Sequence, residues 1–305
     1  MERALILVPG WPPTRTRNIR TYIRPEKKTA LISPKIHAVN QTVEWHEKTF
    51  PASYVLLVVH SALDSFAKRQ SIRQSWARDQ TKLPIKVIFI LGKSDGKNDQ
   101  KEKKVQQESQ KYEDLLQEDF QDSYANLTLK SMFMLKYALE NLENHNVMYV
   151  MKVDDDSYVH LPRLMSYISI MGKRCQNCIV GHVLGPNSPV IRPQNGTKKY
   201  AQGWEVPYYI YKPDTFPNAV SGSGYILSSS ILNCIYQRGL DTPYLNLEDV
   251  FITGLSASKC KQVTLKNSPW FNYTGKKLSM IRGQDVLIHN VRNESDLYRI
   301  YQKLH

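Results

Sequence analysis

The chain has 305 residues, of which 41% are hydrophobic, and this size fits one large domain or two small ones with a substantial buried core. Its net charge of +13 and sequence pI of about 9.4 permit an anionic partner such as a nucleotide, a nucleic acid or an acidic membrane. Acids and amides interleave with the basic residues, as in the run from Lys97 to Lys111, so a solvated helix face is favoured there and no nucleic-acid partner is predicted.

The first 50 residues predict a linker or stem-like segment, because prolines among basic and threonine residues leave no sustained helical or strand periodicity. Their apolar run, Ala4–Val8, is far shorter than the ~20 residues that a membrane-spanning helix needs. It is also shorter than the core of a usual signal peptide. The sequence therefore predicts no membrane anchor in residues 1–50 and one folded domain over residues 51–305.

From Pro51 onward, short apolar runs alternate with stretches of helical spacing. This alternation predicts an α/β fold with a mostly parallel twisted sheet flanked by helices, in which ligands bind beyond the carboxyl ends of the strands. The predicted elements are a strand at Tyr54–Val59, a helix from Asp64 to Trp76, a strand at Lys86–Leu91, a helix near Lys101–Leu116, a helix at Asn126–Leu142 and a strand that begins near Val147.

Three adjacent carboxylates, Asp154, Asp155 and Asp156, end the last of these strands. They repel one another unless they are solvated or a divalent cation neutralises them, and oxygen ligands suit Mg²⁺ or Mn²⁺. Because side chains alternate along an extended chain, Asp154 and Asp156 are expected to share a face while Asp155 points away. A solvated surface loop is the alternative, and the three residues alone do not decide.

Sequons and cysteines indicate an oxidising, secretory environment. The five sequons begin at Asn40, Asn126, Asn195, Asn272 and Asn293. The four cysteines favour disulfides or buried thiols, although Cys175-x-x-Cys178 also suits half of a zinc site or a redox pair. Cys234 and Cys260 are too far apart in sequence to form the second close pair of a zinc ribbon.

Five short blocks follow one another within about residues 51–290. They are Arg69-x-x-Ile-Arg73-x-x-Trp76, Asp122-Ser-Tyr-x-Asn-Leu-Thr-x-Lys130, Met151-Lys-Val-Asp-Asp-Asp156, Gly222-x-Gly-Tyr225 and Leu247-Glu-Asp-Val250. In this order they resemble the β-1,3-glycosyltransferase family, which includes galactosyl- and N-acetylglucosaminyltransferases. The resemblance implies a GT-A type catalytic domain over residues 51–305, a UDP-sugar donor, Mn²⁺, inversion at the anomeric carbon and a Golgi lumen setting.

The resemblance also implies a metal site, because a cation stabilises the charge that develops on the departing UDP. It assigns Asp156 and His289 as metal ligands, Asp155 to the donor ribose or sugar, and Asp154 to supporting the turn. A histidine ligand would favour Mn²⁺ over Mg²⁺. The alternative for His289 is a core histidine at the end of an apolar strand.

The proton of the acceptor hydroxyl needs a base, and the resemblance assigns that role to Asp249 with Glu248 as its neighbour. The two roles could be exchanged. Either carboxylate could instead cap the helical run from Val250 to Ser258 through the helix dipole.

Donor contacts are expected from Arg69, Arg73 and Lys152 and from the close backbone approach that Gly222 and Gly224 allow. Three alternatives remain open. Arg73 could hold a protein carboxylate, Lys152 could neutralise the aspartates, and the glycines could simply form turns.

Acceptor contacts are expected from four aromatic residues, Trp204, Tyr208, Tyr209 and Tyr211, although aromatic clusters more often fill cores. Gly203 departs from the family, in which a lysine is common at this position. The pair Glu248–Asp249 leans towards transfer of galactose from UDP-galactose to a glycan on a glycoprotein or glycolipid. UDP-GlcNAc as the donor and a catalytically silent sugar-binding homologue are the alternatives; a phosphohydrolase is disfavoured, because no Asp-x-Asp motif follows the first strand.

Overall fold

The computed structural model describes residues 16–35, 41–96, 99–172, 175–193, 203–275, 281, 284–291 and 293–305. In these ranges the strands are β1 (Ala30–Ile32), β2 (Thr42–Trp45), β3 (Lys48–Pro51), β4 (Val55–His60), β5 (Ile85–Lys93), β6 (Leu115–Gln121), β7 (Tyr149–Asp154), β8 (Tyr158–Val159), β9 (Cys178–Leu184), β10 (Ala219–Ser228), β11 (Thr264–Asn267), β12 (Phe271–Asn272) and β13 (Leu287–Ile288). The α-helices are α1 (Ile19–Ile23), α2 (Phe66–Gln74), α3 (Asp99–Tyr112), α4 (Leu127–His145), α5 (Leu161–Met171), α6 (Ser229–Leu240) and α7 (Glu294–Leu304).

A central sheet of eight strands has the order β1-β6-β5-β4-β7-β10-β9-β11. Strands β6, β5, β4 and β7 pair in parallel, β1 and β10 run antiparallel to their neighbours, and β9 and β11 return to the first direction. The predicted α/β architecture, a mostly parallel sheet flanked by helices, is confirmed. The carboxyl ends of β4, β5 and β7 meet at one edge, beside the first half of β10.

Strand β4 shows why the central strands read as continuous apolar runs. All six of its residues are buried, because helices cover both faces of the sheet. Leu56 and Val58 pack into the core on the side of α4, whereas Leu57 and Val59 pack into the core on the side of α2. Burying a Leu or Val side chain contributes roughly 1.5–3 kcal/mol, so the two layers hold the strand rigidly and fix where it ends.

The helix predicted to reach Leu116 was too long: α3 ends at Tyr112, and Leu115–Gln121 forms strand β6. Glu113 adopts a φ of 52°, in the left-handed region that commonly ends a helix. Leu115 and Leu116 then pair in parallel with β5 and are fully buried. Because charged residues flank Leu115 and Leu116, the sequence pattern did not indicate strand β6, whose first half lies in the core.

The prediction of a linker over residues 1–50 is wrong for residues 19–32. Ile19 and Ile23 of α1 are fully buried in the core beside α4, and β1 extends the main sheet by pairing with β6. Prolines on both sides of these short elements masked their periodicity. The run Ala4–Val8 and the sequon at Asn40 lie outside the described residues, as does the sequon at Asn195.

Both cysteine pairs are disulfides, Cys175–Cys178 and Cys234–Cys260, as favoured over the zinc site. The second bond ties α6 to the short helical segment that follows a π-helix at Val250–Ser256. Among the described helices none combines the length and the apolar character that crossing a bilayer requires.

Candidate functional site

A cavity of about 1200 Å³ lies at the carboxyl ends of β4, β5 and β7. One wall is the acid turn, which we define as Asp154–Asp156, together with His289. The facing wall contains Gly222 of β10 and the pair Glu248–Asp249. With the block Asp122–Lys130, which also lines it, the cavity brings together four of the five sequence blocks and the late histidine, at the sheet edge where an α/β fold is expected to bind ligands.

Asp154, Asp156 and His289 offer three ligand atoms that lie within 4.8 Å of one another. The His289 Nε2 atom is 3.2 Å from Asp156 Oδ1 and 3.8 Å from Asp154 Oδ2. Two short strands bring the histidine here: β13 pairs with β8, which directly follows the acid turn, and the Val291 N–H donates to the Asp156 carbonyl at 2.8 Å.

The donor set of this cluster fits a divalent metal. His289 Nδ1 lies 2.9 Å from the Tyr273 carbonyl oxygen, which can only accept, so Nδ1 carries a proton and Nε2 is free to bind. Asp156 Oδ1 is buried without a hydrogen-bond partner among the described residues. Two carboxylates and an imidazole suit Mn²⁺.

The carboxylates and the histidine of the cluster shift one another's pKa values. Burial lowers the pKa of His289, but Asp156 and Asp154 outweigh it, so the pKa is raised from its ordinary value. Burial raises the pKa of Asp156, yet His289 outweighs it and the pKa is lowered. Burial dominates at Asp154 and raises its pKa despite the opposing effect of Lys152. A cation bound at His289 Nε2 would compete with protonation of that atom, as metal binding at histidine generally does.

Asp155 points away from the cluster, as the alternation of the strand predicts. Its carboxylate accepts a hydrogen bond from Ser61 Oγ at 2.9 Å and one from Lys68 Nζ at 3.0 Å. Both partners follow β4 or begin α2, and both line the cavity. Asp155 therefore holds the loop after β4, which forms the third wall of the cavity.

Lys152 connects the two main walls. Its side chain is only 2% exposed, and its ammonium group donates to Asp154 Oδ1 at 2.6 Å and to the carbonyl of Gly222. Glu248 Oε2 lies 3.5 Å away. Burial lowers the pKa of Lys152, but Asp154 and Glu248 outweigh it and raise the pKa above the ordinary lysine value, so the ammonium stays charged. The lysine neutralises protein carboxylates, which was the alternative to a donor contact.

Asp249 and Glu248 have different surroundings. Asp249 is partly exposed, accepts from the Gly222 N–H at 3.1 Å and from the Val250 N–H at 2.8 Å, and caps the π-helix. Glu248 is buried and accepts from Ser131 Oγ at 2.7 Å and from the Tyr225 hydroxyl at 2.5 Å. Burial, followed by the charge of Glu248, raises the pKa of Asp249. Of the two, Asp249 is the more exposed carboxylate in the cavity.

The π-helix anchors Asp249 in place. Thr253 Oγ1 donates to the Asp249 carbonyl at 2.6 Å and accepts from the Val220 N–H at 2.8 Å, which joins the helix to β10. The sequence predicted helical structure from Val250 to Ser258 but not its wider π form. π-helical segments are rare in proteins as a whole, and those that occur are often found at functional sites.

The two glycines of β10 play different parts. A Cβ at Gly222 would lie 3.3 Å from Glu248 Oε2 and 3.4 Å from Asp249 Cβ, so a side chain there would press against these two acidic residues. A Cβ at Gly224 would clash with the Leu287 side chain of β13. Gly222 keeps the cavity open, whereas Gly224 lets β13 approach and so helps to place His289.

Arg69 and Arg73 do not line the cavity. Arg69 is fully buried and donates to Glu108 at 2.9 and 2.6 Å and to the Ala62 carbonyl at 2.7 Å. Arg73 donates to Asp114 at 2.7 and 2.8 Å and to Glu108 at 2.8 Å. This placement corrects the expected nucleotide contact, since protein acceptors take up both guanidinium groups. Arg69 instead supports the loop after β4 from behind.

Sequence reasoning missed several residues that shape the cavity. Lys130 donates to the Ser61 carbonyl at 2.6 Å and to Asp122 Oδ1 at 2.8 Å, so the ends of its block clamp the loop after β4. Tyr124, within the same block, lines the cavity and is 56% exposed. The block Asp122–Lys130 was the available signal for both. No local pattern marked Lys68 or Tyr273.

The chain is similar to known glycosyltransferases over most of its length. A model of the galactosyltransferase family matches residues 67–269. Mouse beta-1,3-galactosyltransferase 1 is 30% identical over 262 residues, which are 85% of this chain and 75% of that protein. Mouse beta-1,3-galactosyltransferase 5 is 28% identical over 255 residues, 82% of this chain and 79% of that protein. The lactosylceramide 1,3-N-acetyl-beta-D-glucosaminyltransferase of Xenopus tropicalis is 33% identical over 214 residues, 67% of this chain and 54% of that protein.

Proposed function

We propose, since the chain belongs to the galactosyltransferase family, that it is an inverting β-1,3-glycosyltransferase of the GT-A type that transfers galactose from UDP-galactose to a hydroxyl group of a glycan. One observation carries the proposal. The same cavity places a metal-type cluster, Asp154, Asp156 and His289, across from a separately held carboxylate, Asp249. Metal-assisted departure of UDP and removal of a proton from the acceptor require this division of roles.

The donor half of the site would be formed by the acid turn and its neighbours. Asp154, Asp156 and His289 would hold Mn²⁺, which supplies Lewis-acid stabilisation of the negative charge on the departing diphosphate. Asp154 is thus proposed as a ligand rather than only a support of the turn. Asp155, held by Ser61 and Lys68 and lining the same cavity, would contact the ribose or the donor sugar.

Asp249 acts as the base. As the acceptor oxygen forms its bond to the anomeric carbon, the bond from that carbon to the diphosphate oxygen breaks, and the hydroxyl proton passes to Asp249. A single displacement of this kind inverts the anomeric configuration. The raised pKa of Asp249 suits a group that must accept a proton near neutral pH. Glu248 is engaged by Ser131 and Tyr225 and so positions the wall rather than the proton.

N-acetylglucosamine transfer from UDP-GlcNAc is the second candidate, because the relative from Xenopus tropicalis is named for that sugar. The acceptor in either case is a glycan of a glycoprotein or glycolipid. The proposed location is the Golgi lumen, supported by two disulfides, which persist in secretory compartments, and by the sequons at Asn272 and Asn293. The sequon at Asn126 gives no such support, because its side chain is buried and donates to the Gln121 carbonyl. The clusters that shape the cavity argue against a silent sugar-binding homologue.

A transfer assay tests the proposal. UDP-Gal, UDP-GlcNAc and UDP-GalNAc are each offered with GlcNAc-, Gal- and GalNAc-terminated acceptors, with Mn²⁺ and with a chelator, and the product linkage is assigned by NMR. We expect a β-1,3-galactoside that forms only with the metal. Preference for UDP-GlcNAc selects the second candidate, activity in chelator refutes the metal site, and UDP-sugar binding without transfer to any acceptor indicates a silent homologue.

A further inference from the structure

We propose that Trp204 is a sugar-stacking platform, held in place by Tyr124, that binds the ring of the acceptor's terminal pyranose at the mouth of the cavity. This inference rests on the proposed function and extends it to a named acceptor subsite. It also separates the four aromatic acceptor candidates, of which Trp204 alone lines the cavity among the residues that the structure describes.

Both aromatic side chains are unusually open. Trp204 is 53% exposed and Tyr124 is 56% exposed, and both line the cavity. Large aromatic side chains normally bury most of their surface in the core. A pair of them left open beside a cavity that contains catalytic carboxylates is a surface that a ligand would cover.

The pair is preorganised by three contacts. Trp204 Nε1 donates to the Tyr124 hydroxyl at 2.5 Å. Asn246 Nδ2 donates to the Gly203 carbonyl at 3.0 Å, which fixes the turn that carries the tryptophan. Gly203 has a φ of 105°, and a Cβ there would lie 2.6 Å from Tyr124 Cε1. The glycine, where the resembling family commonly has lysine, therefore lets the tyrosine pack against the turn.

The pair lies next to the reacting groups. Asn246, which anchors the turn, is separated from Asp249 by only Leu247 and Glu248. Tyr124 and Trp204 line the same cavity as Asp154 and Asp249. A sugar ring that covers Trp204 would thus lie in the cavity that holds the proposed base.

The chemistry of the platform defines its ligand. Because the indole N–H is already used by Tyr124, the exposed surface of Trp204 offers a ligand no free polar group. A pyranose presents C–H groups on its ring faces and hydroxyls around its edge, so its C–H face suits the indole and its edge hydroxyls suit the carboxylates of the same cavity. The ligand class is therefore a neutral, terminal pyranose of the galactose or N-acetylglucosamine kind.

The neighbouring tyrosines are committed elsewhere. The Tyr208 hydroxyl donates to Asp214 at 3.1 Å, and the Arg192 guanidinium covers its ring at 3.8 Å from the centroid. The Tyr211 hydroxyl donates to the Thr215 carbonyl at 3.2 Å. Tyr208, Tyr209 and Tyr211 shape the segment that follows Trp204 and do not line the cavity.

The test compares Trp204→Ala and Trp204→Phe with the control Tyr298→Ala. Tyr298 is an exposed aromatic residue of α7 that does not line the cavity. Saturation-transfer NMR uses methyl β-galactopyranoside and methyl N-acetyl-β-glucosaminide with UDP and Mn²⁺ present. We expect ring C–H saturation from at least one glycoside in the wild type, its loss in Trp204→Ala, partial retention in Trp204→Phe and no change in Tyr298→Ala. The acceptor KM should rise about tenfold in Trp204→Ala, the size of an aromatic contact of about 1.4 kcal/mol.

Calorimetric UDP affinity distinguishes a local effect from a folding defect, since it should be equal in all four proteins. Tyr124→Phe, which removes only the partner of the indole N–H, should give a smaller loss. No saturation of either glycoside in the wild type, or an unchanged KM and spectrum in Trp204→Ala, overturns the subsite. Saturation that depends on Trp204 without transfer from any donor leaves the subsite standing and overturns the proposed function.

Discussion

The acid turn and the arginine cluster, which we define as Arg69 and Arg73 with Glu108 and Asp114, are two charged regions that differ in how far protein partners satisfy their charges. In the acid turn, Asp156 Oδ1 is buried without a hydrogen-bond partner among the described residues, and the side chains of Asp154 and Asp156 are about 30% exposed (31% and 30%). In the arginine cluster every acidic partner is hydrogen-bonded to a guanidinium group. Charges whose binding capacity is exhausted by protein partners stabilise the fold, whereas charges left under-coordinated can bind a ligand.

The largest effect is expected at the facing wall of the cavity. Asp249→Asn keeps the size of the side chain but removes the base, so kcat should fall about 10²- to 10⁴-fold. Its single amide oxygen can accept from only one of the Gly222 and Val250 N–H groups that Asp249 holds. Calorimetry should show unchanged binding of UDP with Mn²⁺. Substantial remaining turnover would return the role of base to Glu248.

Arg69→Met tests the arginine cluster. Breaking a buried ion pair by removing one partner costs about 3–5 kcal/mol in the free energy of unfolding, and urea denaturation measures it. Because Arg73 also pairs with Glu108 and would still neutralise it, we expect a loss of stability near the lower end of this range. Arg20→Met is the matched control, because its pair with Asp241 is 43% and 57% exposed and should contribute less than about 1 kcal/mol. A stable Arg69→Met protein that has lost affinity for UDP would show that Arg69 serves ligand binding and not the stability of the fold.

His289→Ala tests the acid turn from its other side. The affinity for Mn²⁺, measured by calorimetry, should fall at least about tenfold, since even changes to residues that only support a metal ligand have effects of this size. His305→Ala is the control, because this histidine pairs with Asp79 at the end of α7 and lies outside the cavity. Equal Mn²⁺ affinities in the two variants would contradict the metal site.

Glu118 provides the smallest and most specific test, because it is a carboxylate left under-coordinated in the core. Burial raises its pKa to about 7, and its Oε2 atom has no hydrogen-bond partner among the described residues. A folded-state pKa above the unfolded one means that stability is full below the unfolded pKa and declines as the pH rises towards about 7. Glu118→Gln should therefore stabilise the protein on the order of 1 kcal/mol at pH 8 and less at pH 5.

Thermal unfolding at the two pH values, beside Glu113→Gln as an exposed control, measures this difference. Stabilisation that is equal at pH 5 and pH 8 would show that the proton on Glu118 is not its cause.

Local sequence patterns were enough to predict the strands that place the acid turn, because a continuous apolar run such as Leu56–Val59 has one stable environment between two layers of helices. The opposite facing of Asp155 also followed from strand alternation alone. The arginine cluster could not be predicted, since Glu108 lies 39 residues from Arg69 and Asp114 lies 41 residues from Arg73.

Long-range pairing limited the prediction of the site in the same way. His289 reaches the acid turn through β13 and β8, strands of two residues each that leave no periodic signal. Trp204 meets Tyr124 across 80 residues, and only the three-dimensional structure shows that the tyrosine is the partner. Family resemblance supplied the histidine and included the tyrosine in one of its blocks, but neither resemblance nor pattern indicated that this tyrosine contacts Trp204.

Lys152 links the two main walls of the cavity energetically. Its single ammonium group contacts Asp154 on one wall and the Gly222 carbonyl on the other, while the Gly222 N–H donates to Asp249. A shift of Asp154 can therefore be passed through one lysine and one glycine residue to Asp249. We expect ligands at the two walls to be thermodynamically linked, so that each changes the affinity for the other by the same factor.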